Sequence, residues 1–285
     1  ETIEIPAGRG TIFDRTGAPL AIGEQATTVY ADPRNVTDPK RAAIEAGKAL
    51  DLDPNDVYAE LRDRSTGFVY LQRKADPVTA ASLEKLDIAG LGFYGEERRI
   101  YPQRTVASHV LGFAGMDNKG LEGLERSLDE RLAGHNGSET VVRDPFGRPI
   151  DVVTSRPERA GSNVRLTIDH EIQAAAEEIL VRTVRNWGAK GATAIVMNPR
   201  TGAVLAMANA PTFDANRFGN APAEIRRNRA ATDMYEPGST FKIVTIAGAL
   251  EDGVVTPRSS FVLQPTIKVA DRVIHESHVR GTERM

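Results

Sequence analysis

Short apolar runs alternate with turn signals and helical repeats over the first 90 residues. Two apolar segments, Thr11–Phe13 and Leu20–Ile22, flank the turn-forming residues 14–19 and predict a β-hairpin. A strand-like apolar run follows at Phe68–Leu71. Three helix starts are predicted where an aspartate able to cap a helix precedes a proline suited to its first position: Asp38-Pro39, Asp53-Pro54 and Asp76-Pro77.

Apolar residues recur at helical spacing behind each of these three starts. They are Ala42, Ile44, Ala46 and Leu50 in the first segment, Val57, Tyr58 and Leu61 in the second, and Val78, Ala81, Leu83 and Leu86 in the third. Helices of this kind next to short strands predict a small α+β module with charged outer faces. No cluster of acid, base and nucleophile lies along it, so the module is not expected to be catalytic.

The middle of the chain continues the α+β pattern and then changes composition. Leucines 121, 124, 128 and 132 keep a period of three to four and predict one short amphipathic helix. Residues 139–154 alternate like two strands around the turn 144–147. Residues 155–161 are polar and contain proline and glycine, which favours a domain boundary there. We therefore expect one domain over residues 1–157 and a second over 158–285.

The second domain has clearer patterning. Asp169 is placed to cap a long helix that ends at Trp187 and whose apolar stripe is Ile172, Ala176, Ile179, Leu180 and Val184. Two apolar runs, Ala192–Met197 and Ala203–Ala208, then predict a β-hairpin that is apolar on both faces and covered on both sides. A helix from Gly238 onward is expected to cover one face of this hairpin with its apolar residues Ile243, Ile246, Ala247 and Leu250.

Composition excludes several classes of protein. The chain has 285 residues, 36 Lys and Arg, 39 Asp and Glu, and therefore a formal net charge of -3. This balance argues against nucleic-acid binding as the main role. Cysteine is absent, which excludes disulfide scaffolds and thiolate metal sites. No apolar run approaches the length of a membrane span, and the first ten residues lack the apolar core of a signal peptide.

The strongest candidate for chemistry is the segment Glu236–Lys242, with the sequence EPGSTFK. Pro237 and Gly238 shape a tight approach to a helix, Ser239 lies in its first turn, and Lys242 follows three residues later on the same face. A serine hydroxyl needs a base to become a nucleophile, and a deprotonated lysine amine can serve. The helix N-terminus adds positive potential and free N–H groups where an oxyanion develops.

The spacing alone is weak evidence, because Ser82 and Lys85 repeat it within a predicted helix. What favours Ser239 is the Pro-Gly entry and the apolar helix behind it. Two other clusters have simpler explanations. The segment 275–278, with two histidines, suggests metal ligands but is better explained as a polar turn or strand edge. The alternating charges of Glu96–Arg99 are typical of a solvated face.

An ordered set of motifs resembles the class B penicillin-binding proteins. In addition to the EPGSTFK segment, which contains the Ser-x-x-Lys element of that superfamily, the motifs are Arg9–Gly17, Arg99–Pro102, Gly123–Glu125, Leu166–Gln173, Gly202–Met207 and Asn228–Ala230. The arrangement is most similar to the septal cell-division branch. The resemblance implies an α+β fold: a pedestal-like dimerisation module, then a penicilloyl-serine-transferase-type domain in which helices pack on a five-stranded antiparallel sheet. The early motifs would be structural and would connect the two domains.

The same resemblance implies a peptidoglycan D,D-transpeptidase. Ser239 would attack the penultimate D-Ala carbonyl of a stem peptide, Lys242 would be the base, and β-lactams would trap the serine. Neither metal nor organic cofactor is implied. The implied partners are a glycosyltransferase of the FtsW type and other division proteins. The protein would lie on the periplasmic face of the cell membrane, through an anchor preceding Glu1.

One departure from the family pattern concerns the rest of the active site. No Ser-x-Asn follows Ser239, and Lys-Thr-Gly and Lys-Ser-Gly do not occur. We therefore expect this chain to be a fragment that is inactive alone. Two alternatives remain open at this point: a non-catalytic division scaffold, and a β-lactam hydrolase or sensor related to the family.

Overall fold

The computed structural model describes residues 2–143, 149–275, 278 and 281–284. It divides into two compact units, residues 1–232 and 233–285. The strands of the described residues are β1 (Thr2–Ile5), β2 (Ile12–Phe13), β3 (Pro19–Ala31), β4 (Val69–Ala75), β5 (Leu91–Ile100), β6 (Phe113–Ala114), β7 (Gly120–Glu122), β8 (Gly137–Arg143), β9 (Pro149–Arg156), β10 (Val164–Arg165), β11 (Ala192–Met197), β12 (Val204–Ala210), β13 (Val262–Leu263), β14 (Thr266–Val269), β15 (Arg272–His275) and β16 (Glu283–Arg284).

The α-helices of the same residues are α1 (Pro39–Leu50), α2 (Pro54–Arg62), α3 (Pro77–Glu84), α4 (Ser108–Leu111), α5 (Gly123–Ser127), α6 (Asp129–Leu132), α7 (His170–Trp187), α8 (Ala223–Arg226), α9 (Arg229–Thr232) and α10 (Lys242–Glu251). The described residues also contain two 3₁₀ segments, Ala215–Asn220 and Gly238–Phe241. Within the described ranges, no helix combines the length and the apolar character that crossing a membrane requires.

The long strand β3 organises the first unit. It pairs antiparallel with β4 on one side and with β5 along nearly its whole length on the other. The predicted hairpin is confirmed, because β2 pairs antiparallel with the start of β3. Val29 and Ala31 of β3 are buried in the core below the sheet, and Tyr30 between them faces the opposite side, as strand alternation requires.

Helices α1, α2 and α3 pack against one face of this sheet, and all three predicted starts are confirmed. The carboxylates of Asp38, Asp53 and Asp76 each accept a hydrogen bond from a backbone N–H of the first turn, and each helix has proline at its start. The predicted stripe needs one correction. Ile44 is 50% exposed, whereas Ala43 is buried, so α1 turns its small residues towards the sheet.

The single helix predicted over leucines 121–132 is wrong. Leu121 lies in β7, which forms a hairpin with β6, and the helical residues divide into the short α5 and α6. The physical reason is the close approach of two backbone segments. Gly123 has a φ of +60°, and a Cβ at that position would lie 2.5 Å from the backbone nitrogen of Gly112.

Strands β1, β8 and β9 form a separate three-stranded antiparallel sheet. The two strands predicted over 139–154 are therefore confirmed, and the turn predicted at 144–147 lies outside the described residues. The domain boundary expected after residue 157 falls within the first compact unit and stays a prediction.

Helix α7 and the β11–β12 hairpin lie in the C-terminal part of the first unit. Asp169 caps α7 through the N–H groups of Glu171 and Ile172, as predicted. Helix α7 packs along β12, where Ala206, Ala208 and Ala210 are buried. On β11, however, Ile195, Val196 and Met197 are each more than a third exposed. The helix expected to cover one face of this hairpin begins at Gly238 and belongs to the second unit, so cover of both faces stays a prediction.

Candidate active site

The segment that carries Ser239 and Lys242 lies in the second unit. Gly238 has a φ of +55°, a conformation that favours glycine, and it begins the 3₁₀ turn that leads into α10. The N–H of Lys242 donates to the carbonyl oxygens of Ser239 and Thr240. Residues three apart eclipse each other in a 3₁₀ helix, so this turn favours the Ser239 and Lys242 side chains on one side. The sequence predicted an α-helical first turn here.

Both side chains of the candidate pair are exposed, as are all residues of the turn. The apolar stripe expected to bury α10 is also exposed, with Ile243 at 74% and Leu250 at 41%. The hairpin that this stripe was expected to cover lies in the first unit, so that part of the prediction stays untested. A serine gains reactivity from a base that is shielded from water and close to it. The roles of Ser239 and Lys242 therefore remain proposals, which are argued below.

Three of the sequence motifs meet in a buried ion network of the first unit. Glu125 accepts a hydrogen bond from Nε of Arg9 through one carboxylate oxygen and from Nε of Arg99 through the other, both at 2.7 Å. All three side chains are almost completely buried. Arg9 also pairs with Asp129 at 2.7 Å. The interpretation of Glu96–Arg99 as a solvated face is therefore wrong at Arg99.

Tyr101 extends this network. Its hydroxyl group contacts Glu125 at 3.3 Å and accepts the N–H of Ala114 at 2.8 Å. Burial and the nearby Glu125 carboxylate raise the pKa of the tyrosine above its usual range. The backbone of Tyr101 exchanges two hydrogen bonds of 2.9 Å with the side-chain amide of Asn216. Tyr101 of the second motif thereby contacts both the third motif and a 3₁₀ segment 115 residues further along the chain.

A second long-range link joins Asp14 to the start of α7. The Asp14 carboxylate contacts Nδ1 of His170 at 2.6 Å and accepts N–H groups from residues 16–18 of its own turn. Burial alone would raise the pKa of Asp14, but the hydrogen bonds from His170 and Thr16 outweigh it and hold that pKa well below the usual range. The same contact raises the pKa of His170.

One cluster among the described residues has the composition of a metal site. Ligand atoms of Asp14, Asp169 and His170 lie within 4.8 Å of one another. Both Asp14 oxygens already accept hydrogen bonds, and Asp169 caps α7. The donor set therefore fits a polar link between two elements better than an ion. His275 of the other considered cluster lies in β15, and residues 276 and 277 are outside the described part.

Glu177 is a buried carboxyl group that the sequence pattern missed. It lies on α7 one turn after Gln173, and both are buried in place of the predicted Ile179, which is half exposed. Its Oε1 accepts hydrogen bonds from Nε2 of Gln173 at 2.6 Å and from the N–H of Ala107 at 2.9 Å. Burial outweighs these bonds and raises the pKa of Glu177 to about 7.

We expect Glu177→Gln to become progressively more stable than the wild type as pH rises from 5 to 8. The pKa of Glu177 is about 7 in the folded protein and near the usual 4.5 in the unfolded chain. Above pH 4.5 the unfolded chain loses this proton more easily than the folded protein does, so the wild type loses stability as pH rises. The shift corresponds to about 3 kcal/mol. Glutamine retains the oxygen that accepts both hydrogen bonds. Urea unfolding of both proteins at pH 5 and pH 8 measures the effect, and a difference independent of pH would contradict it.

Two family models cover most of the chain. The penicillin-binding protein dimerisation domain matches residues 4–166, and the penicillin-binding protein transpeptidase domain matches residues 192–284. The chain therefore belongs to the class B penicillin-binding proteins and resembles the FtsI-like members. The second match contains Ser239 and Lys242, and the first contains Arg9, Arg99 and Glu125.

Named relatives agree with this assignment. The chain is 38% identical over 283 residues to the probable peptidoglycan D,D-transpeptidase PenA of Neisseria gonorrhoeae, which covers 98% of the chain and 48% of that protein. It is 35% identical over 262 residues to the peptidoglycan D,D-transpeptidase FtsI of Escherichia coli K12, covering 90% of the chain and 45% of the relative. The chain thus spans about half the length of these relatives.

A solved structure shows the same fold. Penicillin-binding protein 2X from Streptococcus thermophilus matches the whole chain and 47% of its own length, with a TM-score of 0.70 and 24% sequence identity. The expected α+β fold, with a dimerisation domain followed by a transpeptidase domain, is therefore confirmed.

Proposed function

We propose that the native protein is a septal peptidoglycan D,D-transpeptidase that acts through an acyl-enzyme on Ser239. The observation that carries this proposal is the Ser-x-x-Lys segment. It begins a helix through a glycine in the left-handed conformation and lies inside the transpeptidase-domain match. The relatives that match nearly the whole chain are named as peptidoglycan D,D-transpeptidases, which supports the same substrate class.

The chemistry follows from the two side chains and the helix start. Lys242 Nζ accepts the proton of the Ser239 hydroxyl while Oγ attacks the penultimate D-Ala carbonyl of a stem peptide. The C–N bond to the terminal D-Ala breaks, and that D-Ala leaves with the proton on its new amine. An amine of a neighbouring stem peptide then attacks the ester, which forms the cross-link and returns the hydroxyl group. A β-lactam would acylate the same oxygen through its ring amide.

The first unit is proposed to support this reaction structurally and to supply no reacting group. Its buried network and the Asp14–His170 link connect the dimerisation-domain match to α7 and the chain beyond it. We propose that residues 1–157 form the pedestal and that the protein acts on the periplasmic side of the cell membrane. In that position it would meet stem peptides, an FtsW-type glycosyltransferase and other division proteins.

Labelling with a fluorescent penicillin tests the proposed nucleophile. We expect the native protein to be labelled and Ser239→Ala to lose all labelling, because the acyl group would have no oxygen to bind. Ser82→Ala is the matched control, since Ser82 on α3 and Lys85, the C-cap residue of that helix, have the same spacing. The Ser82 hydroxyl donates to the carbonyl of Thr79 at 2.7 Å. Equal labelling of wild type and Ser239→Ala would reject the proposal.

A further inference from the structure

A group of exposed aromatic rings lies on the sheet face opposite helices α1, α2 and α3. The aromatic platform consists of Tyr30, Phe68, Tyr70 and Tyr94. The ring centroids of Tyr30 and Phe68 are 5.1 Å apart, those of Phe68 and Tyr70 are 4.7 Å apart, and those of Tyr30 and Tyr94 are 5.9 Å apart. Phe68, Tyr70 and Tyr94 are each exposed by 38–45%. A contiguous exposed apolar patch is a candidate interaction surface.

The backbone beneath the platform is arranged around these rings. Tyr30 on β3 is paired with Tyr70 on β4 and with Gly92 on β5, so all three residues share one face. A Cβ at position 92 would lie 2.2 Å from the Tyr30 ring. Glycine at this position therefore leaves the room that the ring of Tyr30 needs.

A polar cleft of about 750 Å³ adjoins the platform. Arg73 belongs to both, because it lines the cleft and its guanidinium lies 5.4 Å from the centre of the Tyr70 ring. The other basic side chains in the lining are Arg9, Lys74, Lys119, His135 and Arg156. Every lining residue lies between positions 6 and 156, within the dimerisation-domain match.

Ion pairing inside the cleft leaves some of these cations uncompensated. Arg73 pairs with Glu96 and Asp117, each at 2.7 Å. Lys74 donates instead to the neutral amide oxygen of Asn118 at 2.7 Å. Over the ranges that the structure describes, Lys119 and Arg156 form no ion pair. The lining also contains four carboxylates, Glu96, Glu97, Asp117 and Asp129, and three of them act on Lys74. The positive charge that the cleft offers to an incoming carboxylate is therefore mainly that of Lys119 and Arg156, with Lys74 partly offset.

Lys74 is held in place by its backbone. Its φ of +54° is unusual for a lysine within a strand, and its N–H donates to Oγ1 of Thr28 at 3.1 Å. The side chain is half-buried, and burial lowers the pKa of its ammonium group. A partly desolvated cation with a fixed direction binds an anion more strongly than a mobile surface lysine does.

We propose that the aromatic platform and the adjoining cleft together bind an uncross-linked peptidoglycan strand. The sugar rings would place their C–H faces on the aromatic rings, and the stem-peptide carboxylates would meet Lys74, Lys119 and Arg156. This inference rests on the proposed function, since it assigns a second site for the substrate of that reaction. The site lies entirely within the first unit and uses none of the residues proposed for catalysis.

Direct binding of soluble uncross-linked strands to the native protein tests this site. The Ser239→Ala background is used so that strands are not consumed, and calorimetry measures affinity. We expect Tyr70→Ser and Lys74→Gly each to weaken binding about tenfold or more. Lys74→Gly is informative because glycine favours a positive φ, so the variant removes the ammonium group without adding backbone strain.

Matched controls separate the site from general effects on folding. Tyr58→Ser removes a tyrosine on α2 that is 37% exposed, compared with 44% for Tyr70. Asp51→Gly relieves a similar φ of +56° at the end of α1 without removing a cation. Both controls should bind strands like the parent protein. If Tyr70→Ser and Lys74→Gly also bind like the parent, the proposed site is wrong.

Two ligand variants test the two halves of the site. Strands stripped of stem peptides should contact only the platform, and free stem peptides only the cleft, so each should bind more weakly than intact strands. If stripped and intact strands bind with equal affinity, the cleft does not contribute to binding and that half of the proposal is wrong. The inference would be wrong if the native protein bound no strands. It would also be wrong if the platform bound another protein instead of a strand. Penicillin labelling of Ser239 is independent of these results and tests the proposed function separately.

Discussion

Glu125→Gln is expected to lower the free energy of unfolding by about 3–5 kcal/mol. The Glu125 carboxylate binds Nε of Arg9 and of Arg99, and all three side chains are buried. Glutamine has nearly the same shape, so no cavity forms. It offers one acceptor oxygen in place of two and no negative charge. Arg99 retains its hydrogen bond to the carbonyl of Gly10, and Arg9 retains its ion pair with Asp129. Arg99 nevertheless loses its ion partner and Arg9 loses one of two, both in a buried site.

Urea unfolding of wild type and variant measures this loss. Glu24→Gln is the control, because Glu24 pairs with Arg98 at 2.5 Å on the exposed part of the same sheet. Exposed pairs contribute less than about 1 kcal/mol, so this variant should unfold close to the wild type. If Glu125→Gln and Glu24→Gln have equal effects, the network does not stabilise the first unit in the way its burial implies.

Local features of the first unit could be predicted from the sequence because each depends on residues close together. An aspartate before a proline provides a helix cap and a first helical residue within two positions, and the three such helices begin where expected. Asp169 and α7 follow the same principle. The hairpins between β2 and β3 and between β11 and β12 depend on short turns between apolar runs.

The buried network could not be predicted in the same way. Arg9 and Glu125 are separated by 116 residues, and Arg99 lies in a segment whose alternating charges are typical of a solvated strand. Sequence spacing contains no information about which of these charges meets a distant partner. Glu177 shows the same limit. The helical period predicted that the apolar stripe of α7 is buried, whereas the buried residues of this helix are Gln173 and Glu177.

The cover of apolar faces is a second limit of the sequence pattern, and its cause is different. The pattern of β11 and of α10 correctly shows apolar residues, but it does not specify what covers them. Ile195, Met197 and Ile243 are exposed within the described residues. At the candidate site, the sequence predicted that Ser239 lies in the first turn of an α-helix. In the structure, Ser239 lies in a 3₁₀ turn that precedes the α-helix. The chemistry at this pair is tested directly by changing the lysine.

Lys242→Arg in the native protein is expected to slow acylation by a fluorescent penicillin about 10²–10⁴-fold. The proposed role requires a neutral amine that takes the proton from Ser239. An arginine side chain remains protonated in proteins and cannot accept it, although it keeps the positive charge and the helix propensity. Stopped-flow measurement of the acylation rate reports this step. Lys85→Arg, at the same spacing from Ser82 on α3, should leave the rate unchanged.

The arginine variant distinguishes two roles that an alanine variant would confuse. If Lys242 only stabilised the developing oxyanion by its charge, arginine would retain most of the rate. If it is the base, arginine should be as slow as Lys242→Ala, and the two variants should lose rate equally. An acylation rate for Lys242→Arg within about threefold of the wild type would exclude proton transfer to this side chain. It would leave Ser239 in need of a base from another part of the native protein.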